Sequence, residues 1–243
     1  IKKDGFKIAD KIDSLPATDR LTQRPQAIAS LISGLSQTIE RERPDFLIVV
    51  GDREESIATA IVGNYMNILT AHIGGGDPVF GNSDDPIRFA VSKLSHIHFT
   101  TAKNYSKNLI KLGEDRWRIK FSGSPGIDNI VSEPRLSLSK LENALKLSLD
   151  QYIVFIKHPL SSEKINTRRQ IQISLNAISR FSSKNDVKVV GIYPNTDPGS
   201  EEIIRVINKY EDSHIKFYPT IPRDIFVNLM RNCKALVGNS SMG

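Results

Sequence analysis

Residues suited to proton transfer and to anion binding follow several short apolar runs in this sequence of 243 residues. Gly51-Asp52-Arg53 comes directly after the apolar run 46–50, so a glycine turn is followed by a carboxylate and a guanidinium. A carboxylate accepts or delivers a proton, and a guanidinium pairs with carboxylates or phosphates. Asp52 is equally suited to cap a following helix, and the pattern leaves both roles open.

A second polar segment combines histidine, glycine and carboxylates. His72 lies near the end of an apolar run, Gly74-Gly75-Gly76-Asp77 follows it, and Asp84-Asp85-Pro86-Ile87-Arg88 comes next. Glycines let a backbone approach a ligand or adopt positive φ, although the pattern is neither a Walker loop nor GxGxxG. The paired carboxylates before Pro86 are typical of a helix start, and they are also suited to acid–base chemistry.

Two histidines, His96 and His98, lie two residues apart on a predicted strand and therefore face the same side. Such a pair can bind zinc, but no further cysteine or carboxylate follows at ligand spacing. We therefore predict a structural role for one or both, and no metal site.

Three polar turns in the second half of the chain also follow apolar runs. They are Lys157-His158-Pro159, the stretch 193–200 that contains Asn195, and Gly238-Asn239-Ser240-Ser241. The last is small, rich in donors and directed at a predicted helix start. Such a turn suits a phosphate, which backbone N–H groups and hydroxyls can bind.

The elements that must position these turns alternate between strand and helix along the whole chain, which predicts parallel sheets covered by helices. We expect strands at 46–50, 68–73, 96–100, 118–121, 152–156, 187–192, 215–217 and 235–237, and helices that include 56–65, 103–112, 162–181, 201–210 and 223–231. The polar stretch 131–147 separates two sets of alternating strands and helices. The prediction is an α/β protein with two Rossmann-like domains, 1–134 and 135–243, facing a cleft where ligands lie beyond the strand ends.

Composition narrows the class of protein. Hydrophobic residues make up 39% and charged residues 25%, as in ordinary globular proteins. The longest apolar run is far shorter than the roughly 20 residues that cross a bilayer, and no signal peptide opens the chain. The single cysteine, Cys233, excludes an intrachain disulfide. These features predict a cytoplasmic protein without membrane association. Because the chain starts at Ile1 rather than Met, we also expect both ends to be truncated.

The net charge of +6 raises the possibility of nucleic-acid binding. The basic residues are spread along the chain, however, and no nucleic-acid-binding motif accompanies them. We therefore expect an anionic small molecule such as a nucleotide diphosphate, and no nucleic acid.

The polar turns, taken in order, resemble the UDP-N-acetylglucosamine 2-epimerase family over about residues 45 to 243. The resemblance is greatest to the hydrolysing branch, which forms N-acetylmannosamine for sialic-acid-type sugars. The motifs are GDR at 51–53, HIGGGD at 72–77, DDPIR at 84–88, GSPGID at 123–128, HP at 158–159, YPNTDPGS at 193–200 and GNSSMG at 238–243.

The resemblance implies a fold like that of GT-B glycosyltransferases, with UDP in the cleft, no metal or other cofactor, and a homodimer or homotetramer. It places catalytic carboxylates at Asp52 and Asp84, and the family's loop histidine at His72. The family usually has a further carboxylate at the position of Gly74, and Asp77 is the candidate to replace it. The residues implied in UDP binding are Arg53, His158, Asn195, Ser240 and Ser241.

The implied reaction eliminates UDP across C1 and C2 to give a glycal, after which water adds at C1 and a proton returns to C2 on the opposite face. Two alternatives remain open. One is a GT-B glycosyltransferase, which uses an acceptor in place of water. The other is a non-catalytic paralogue that only binds a sugar nucleotide.

Overall fold

The computed structural model describes residues 5–14, 22–78, 84–160, 166–195, 197 and 199–240. The chain divides into two compact units, Ile1–Ile127 and Asp128–Gly243. This division lies ahead of the boundary expected at residue 134. The cause is that Arg231 and Asn228 donate hydrogen bonds of 2.8 and 3.0 Å to the backbone carbonyls of Glu133 and Pro134, which ties this segment to the second unit.

The first unit is a parallel sheet of four described strands in the order β1-β2-β3-β4. Its strands are β1 (Phe46–Val50), β2 (Leu69–Ile73), β3 (Ile97–Thr100) and β4 (Ile119–Phe121). Its helices are α1 (Gln23–Glu42), α2 (Glu54–Tyr65), α3 (Asp84–Leu94) and α4 (Lys103–Lys111).

Helix α1 shows how local sequence sets these elements. Ala27, Leu31 and Ile39 are buried along one face, as the 3.6-residue period requires. The helix ends where Arg43 adopts a left-handed conformation and its N–H bonds to the carbonyl of Ile39, and Pro44 follows. Such an ending is common before a proline, which cannot continue a helix.

The second unit contains a parallel sheet of four described strands in the order β7-β6-β5-β8. Its strands are β5 (Tyr152–Ile156), β6 (Lys188–Ile192), β7 (Ile215–Tyr218) and β8 (Leu236–Gly238). All five residues of β5 are buried, which explains its continuous apolar sequence. The helices are α5 (Pro125–Ser132), which begins before the division, α6 (Leu138–Leu145), α7 (Thr167–Asn185), α8 (Ser200–Ile207) and α9 (Arg223–Asn232).

The predicted fold class, α/β with two Rossmann-like units, is confirmed. The sequence analysis missed α5, although Pro125 at its first position is a known start signal. Helix α7 continues to Asn185, beyond the predicted end at 181, and its predicted start at 162 lies outside the described residues. Among the described helices, none has the length and apolar character needed to cross a membrane.

Candidate active site

The turn after β1, which contains Asp52, is fixed to the neighbouring strand through the peptide groups of Gly51. The Gly51 N–H donates to the carbonyl of Ile73 at 2.9 Å. The Gly51 carbonyl accepts from the ring Nε2 of His72 at 2.8 Å. Both contacts cross from β1 to β2, so the position of Asp52 depends directly on the second strand.

His72 is completely buried on β2, and both of its ring nitrogens have partners. A carbonyl only accepts hydrogen bonds, so the proton is on Nε2, and Nδ1 accepts from the hydroxyl of Ser92 at 3.0 Å. Burial lowers the pKa of His72 to about 4, so the ring is neutral near pH 7. His72 was predicted among the catalytic groups, and that role stays a prediction. In the structure it lies in the interior and bonds to the backbone of the turn that carries Asp52.

Arg88, on α3, brings two predicted carboxylates together. One terminal nitrogen, Nη2, forms an ion pair with Asp52. The other, Nη1, donates to the carbonyl of Gly74 at 2.9 Å and lies 3.7 Å from Oδ2 of Asp77. From the sequence, Arg88 was considered only as part of the DDPIR motif, whose carboxylates were expected to cap and charge-balance a helix start.

The glycine-rich loop 74–77 has a defined conformation because α4 packs closely against it. Gly76 has a φ of +79°, and a Cβ at this position would lie 2.4 Å from the backbone oxygen of Tyr105, so only glycine fits. The side chain of Asn108 donates to the Gly76 carbonyl at 2.9 Å. The Tyr105 hydroxyl also bonds to Asp77, which contributes most to the raised pKa of Tyr105.

Two further predicted residues lie near this turn. Asp84 is the first residue of α3, and its side chain falls outside the described part of the molecule, so its catalytic role stays a prediction. Arg53 precedes α2 as its N-cap residue, and its Nε lies 3.5 Å from Oε2 of Glu54. Its predicted role in nucleotide binding also stays a prediction.

A mainly apolar cavity of about 410 Å³ lies beside Asp52. Its other polar members are Arg24 and Glu54, which form an ion pair with each other. The apolar wall comes from the first turns of α1, α2 and α3 and consists of Pro25, Ile28, Ile57, Pro86 and Ile87.

Of the predicted histidine pair, only His98 lies on β3 and is buried, whereas His96 precedes the strand and is half-buried. His98 is buried and bonds through Nε2 to Glu114 at 3.2 Å, and Glu114 also pairs with Lys93 and Arg118 at 2.8 and 2.9 Å. His96 accepts a hydrogen bond from the backbone of β2. Within the described ranges, no group of three or more His, Cys, Asp or Glu side chains has an arrangement that could hold a metal ion.

In the second unit, Asn239 joins the ends of β8 and β5. Its side-chain amide accepts from the N–H of His158 at 2.7 Å and donates to the carbonyl of the same residue at 3.0 Å. The preceding Gly238 has a φ of +150°, and a Cβ there would lie 1.7 Å from the oxygen of Ile156, so only glycine allows this approach. Asn239 was not among the predicted site residues, although it lies within the GNSS turn.

His158 is held in the tautomer that can donate from Nε2. Its Nδ1 accepts from the backbone N–H of Asn195 at 3.1 Å, so the ring proton is on Nε2. Burial lowers the pKa of His158, and the charge of Asp197 opposes this effect only in part. The side chain of Asn195 donates to Asp197 at 2.6 Å, which fixes the loop after β6. His158 can therefore donate a hydrogen bond from Nε2.

A cavity of about 340 Å³ opens at the same edge of this sheet. His158, Ser240 and Arg223 supply its polar groups. Ser240 lines this cavity together with His158, whereas Ser241 lies outside the described residues, and the role of both in UDP binding stays a prediction. Thr220 adds a further hydroxyl, and the remaining wall is apolar and aromatic and consists of Ile156, Ile192, Tyr193, Ile221 and Phe226. An apolar cavity with a few polar groups at one side is typical of a small-molecule site.

Known proteins resemble this chain in sequence and in fold. A UDP-N-acetylglucosamine 2-epimerase of Neisseria meningitidis serogroup B is 35% identical over 88% of this chain and 55% of its own length. The hydrolysing GDP/UDP-N,N'-diacetylbacillosamine 2-epimerase of Campylobacter jejuni is 31% identical over 98% of this chain and 62% of its own length. The chain thus spans little more than half the length of these relatives.

A solved structure gives the same result for the fold. The crystal structure of the UDP-GlcNAc 2-epimerase from Neisseria meningitidis bound to UDP-GlcNAc superposes with a TM-score of 0.75 at 18% identity, over 93% of this chain and 62% of that one. The family model described as UDP-N-acetylglucosamine 2-epimerase matches residues 1–243. The chain, with its carboxylates after β1 and β2, therefore belongs to the UDP-N-acetylglucosamine 2-epimerase family.

Proposed function

We propose that this protein is a hydrolysing 2-epimerase that converts UDP-N-acetylglucosamine into N-acetylmannosamine and UDP. The observation that carries the proposal is the pair of carboxylates, Asp52 and Asp77, that meet at Arg88 in a member of this family. Inversion at C2 requires a proton to leave one face and another to return to the opposite face. Two carboxylates that follow adjacent strands at the same end of the sheet supply the acid and the base that this chemistry needs.

The reaction begins with removal of the C2 proton while the bond between C1 and the diphosphate oxygen breaks. Asp52 is held by contacts from β2 and α3, so it is a preorganised proton-transfer group. The resulting glycal adds water at C1, and a second group protonates C2 from the other face. Asp77 serves that second role in our proposal, and Asp84 is the further candidate.

The leaving diphosphate gains negative charge as the bond breaks, so donors directed at it stabilise the transition state more than the ground state. His158 supplies a neutral Nε2–H next to Ser240 in the cavity of the second unit. Arg53, Asn195 and Ser241 complete the proposed set of UDP-binding residues. We propose that no metal or other cofactor takes part.

The sugar itself has two candidates. The Campylobacter relative and a 30% identical protein of Legionella pneumophila, which this chain matches over its whole length, are both named diacetylbacillosamine 2-epimerases. That sugar carries a second acetamido group and a C6 methyl in place of hydroxyls. The apolar wall of the cavity beside Asp52 favours the C6 methyl, because a methyl gives up no hydrogen bond with water when it packs against apolar side chains. UDP-N,N'-diacetylbacillosamine is therefore the second candidate substrate.

We further propose a cytoplasmic homo-oligomer that supplies sialic-acid-type biosynthesis. Two alternative functions, one catalytic and one not, would use a similar nucleotide site. A glycosyltransferase would need an acceptor before UDP is released from the sugar. A non-catalytic paralogue would bind UDP-sugar without releasing UDP.

Proton NMR in D₂O tests these alternatives. The protein is given either UDP-N-acetylglucosamine or UDP-N,N'-diacetylbacillosamine, and no acceptor is added. We expect UDP release together with a 2-epimerised free sugar that carries deuterium at C2. UDP release without deuterium at C2 would indicate hydrolysis or transfer, and binding without release would indicate a non-catalytic protein.

Asp52→Asn should lower turnover by about a thousandfold. The matched control Glu55→Gln, on the exposed first turn of α2, should retain activity.

A further inference from the structure

Arg88 is the largely buried cation of the first unit's site, and its side chain is only 12% exposed. Its two terminal nitrogens contact three residues on two separate segments of chain. Nη2 pairs with Asp52 after β1, while Nη1 bonds to the Gly74 carbonyl and lies 3.7 Å from Asp77 after β2. These contacts reach both carboxylates to which proton transfer was assigned above.

We infer that Arg88 is a positioning residue for the proposed 2-epimerase reaction, which fixes the separation of Asp52 and Asp77 through the planar fork of its guanidinium. The inference rests on the proposed function, because that function assigns proton transfer to Asp52 and Asp77. Arg88 takes no proton from the substrate and transfers none.

The physical need for such a residue comes from charge and geometry. Two carboxylates at one strand edge repel each other, and a cation between them offsets that repulsion. A guanidinium is rigid and planar, so its nitrogens hold partners at fixed angles, which the flexible ammonium of a lysine does not. A lysine at this position would keep the charge and lose the fixed separation.

The loop that carries Asp77 depends on the same side chain. Gly74 has a φ of +85°, which directs its carbonyl to Arg88, and a Cβ there would lie 3.9 Å from Nη1. Tyr105 holds the Asp77 carboxylate through its own hydroxyl. Asp77 therefore has one contact with α3, through Arg88, and another with α4, through Tyr105. Of these two side chains, Arg88 is the one that also contacts Asp52.

Arg118 provides a matched control within the same unit. It pairs with the carboxylate of Glu114 at 2.9 Å and donates through Nε to the carbonyl of His96 at 2.7 Å. It therefore makes the same kinds of contact as Arg88, but with neither Asp52 nor Asp77. Loss of Arg118 should affect folding to a similar degree without changing the site.

The test compares Arg88→Ala, Arg88→Lys and Arg118→Ala by steady-state UDP release from the UDP-sugar that the wild type turns over. For Arg88→Ala we expect kcat to fall about 100-fold while KM changes by no more than about threefold. Low millimolar guanidinium should partly restore this kcat. Arg88→Lys should lie between wild type and Arg88→Ala, and Arg118→Ala should keep the wild-type kcat.

Amide hydrogen exchange over residues 74–77 gives a readout that needs no activity. Exchange should accelerate in Arg88→Ala and stay unchanged in Arg118→Ala. Equal kcat losses in the two alanine variants, or unchanged exchange over 74–77 in Arg88→Ala, would overturn the inference. Absence of wild-type turnover with both candidate sugars would refute the proposed function instead, and hydrogen exchange would still decide whether Arg88 orders the loop.

Discussion

The two units fill their interiors with different chemistry. In the first, the interior buries a set of polar side chains: Thr70, His72, His98 and Thr100 from the strands, Ser92 from α3, Ser95 just after it, and Glu114. In the second, one apolar cluster surrounds Ile153, Phe155 and Val189, and another surrounds Val154 and Val190. The first unit therefore uses part of its interior to orient a site, whereas the second uses its interior mainly for stability.

The second unit places its functional polar groups beyond the strand ends instead. His158 and Asn239 lie just after β5 and β8, outside the apolar clusters. Inside, Phe155 and Phe217 pack edge to face, with ring centres 6.4 Å apart. A buried polar network costs free energy whenever one partner is lost, while an apolar cluster loses contacts and gains a cavity. Substitutions in the two interiors should therefore have different consequences.

The largest expected effect on stability comes from Phe155→Ala in the second unit. Removing this completely enclosed ring should lower the free energy of unfolding by about 3–5 kcal/mol. Because the ring belongs to an apolar cluster whose described members include none of the predicted site residues, kcat measured well below the unfolding temperature should stay close to the wild-type value. Urea unfolding and steady-state UDP release measure the two quantities. A large loss of kcat in the folded variant would contradict the contrast between the units.

In the first unit, His72→Leu should reduce kcat strongly and stability only modestly. It removes the bonds to Gly51 and Ser92, so we expect about 1–3 kcal/mol of destabilisation together with a roughly 100-fold loss of kcat. His96→Leu is the matched control, because His96 also bonds to β2 but does not reach the turn of Asp52. Equal kcat values for the two variants would show that His72 has no special role in the site.

Sequence patterns predicted the parallel sheets and the polar turns after the strands, because apolar runs and their flanking residues are local signals. They did not predict which polar residues lie inside. Whether His72 is exposed or buried depends on the helix packed above it, and a five-residue strand does not encode that. The roles of Arg88 and Asn239 were missed for the same reason, since each joins segments that are distant in the chain.

Acid should destabilise the first unit through His72. Its folded pKa is about 4, below the ordinary value of 6.5, so the unfolded chain binds more protons between these values. Stability is therefore complete above pH 6.5 and decreases as the pH falls towards 4, by about 3 kcal/mol at most. Urea unfolding at pH 7 and pH 4.5 should show this loss in the wild type and a smaller one in His72→Leu. Burial also lowers the pKa of His98, so some loss should persist in the variant.

The smallest effect is expected from Asn239→Ala in the second unit. The change removes both side-chain hydrogen bonds to the backbone of His158, so the residue is less firmly placed, while the ring keeps its bond from Asn195 and the apolar clusters stay intact. UDP binding measured by calorimetry should weaken about tenfold, and the free energy of unfolding should fall by about 1 kcal/mol. Asn185→Ala is the control, since that side chain bonds only to the end of α7, away from the cavity. If both variants bound UDP as tightly as the wild type, the orientation of His158 would not depend on Asn239, and the site of the second unit would be rigid through its strands alone.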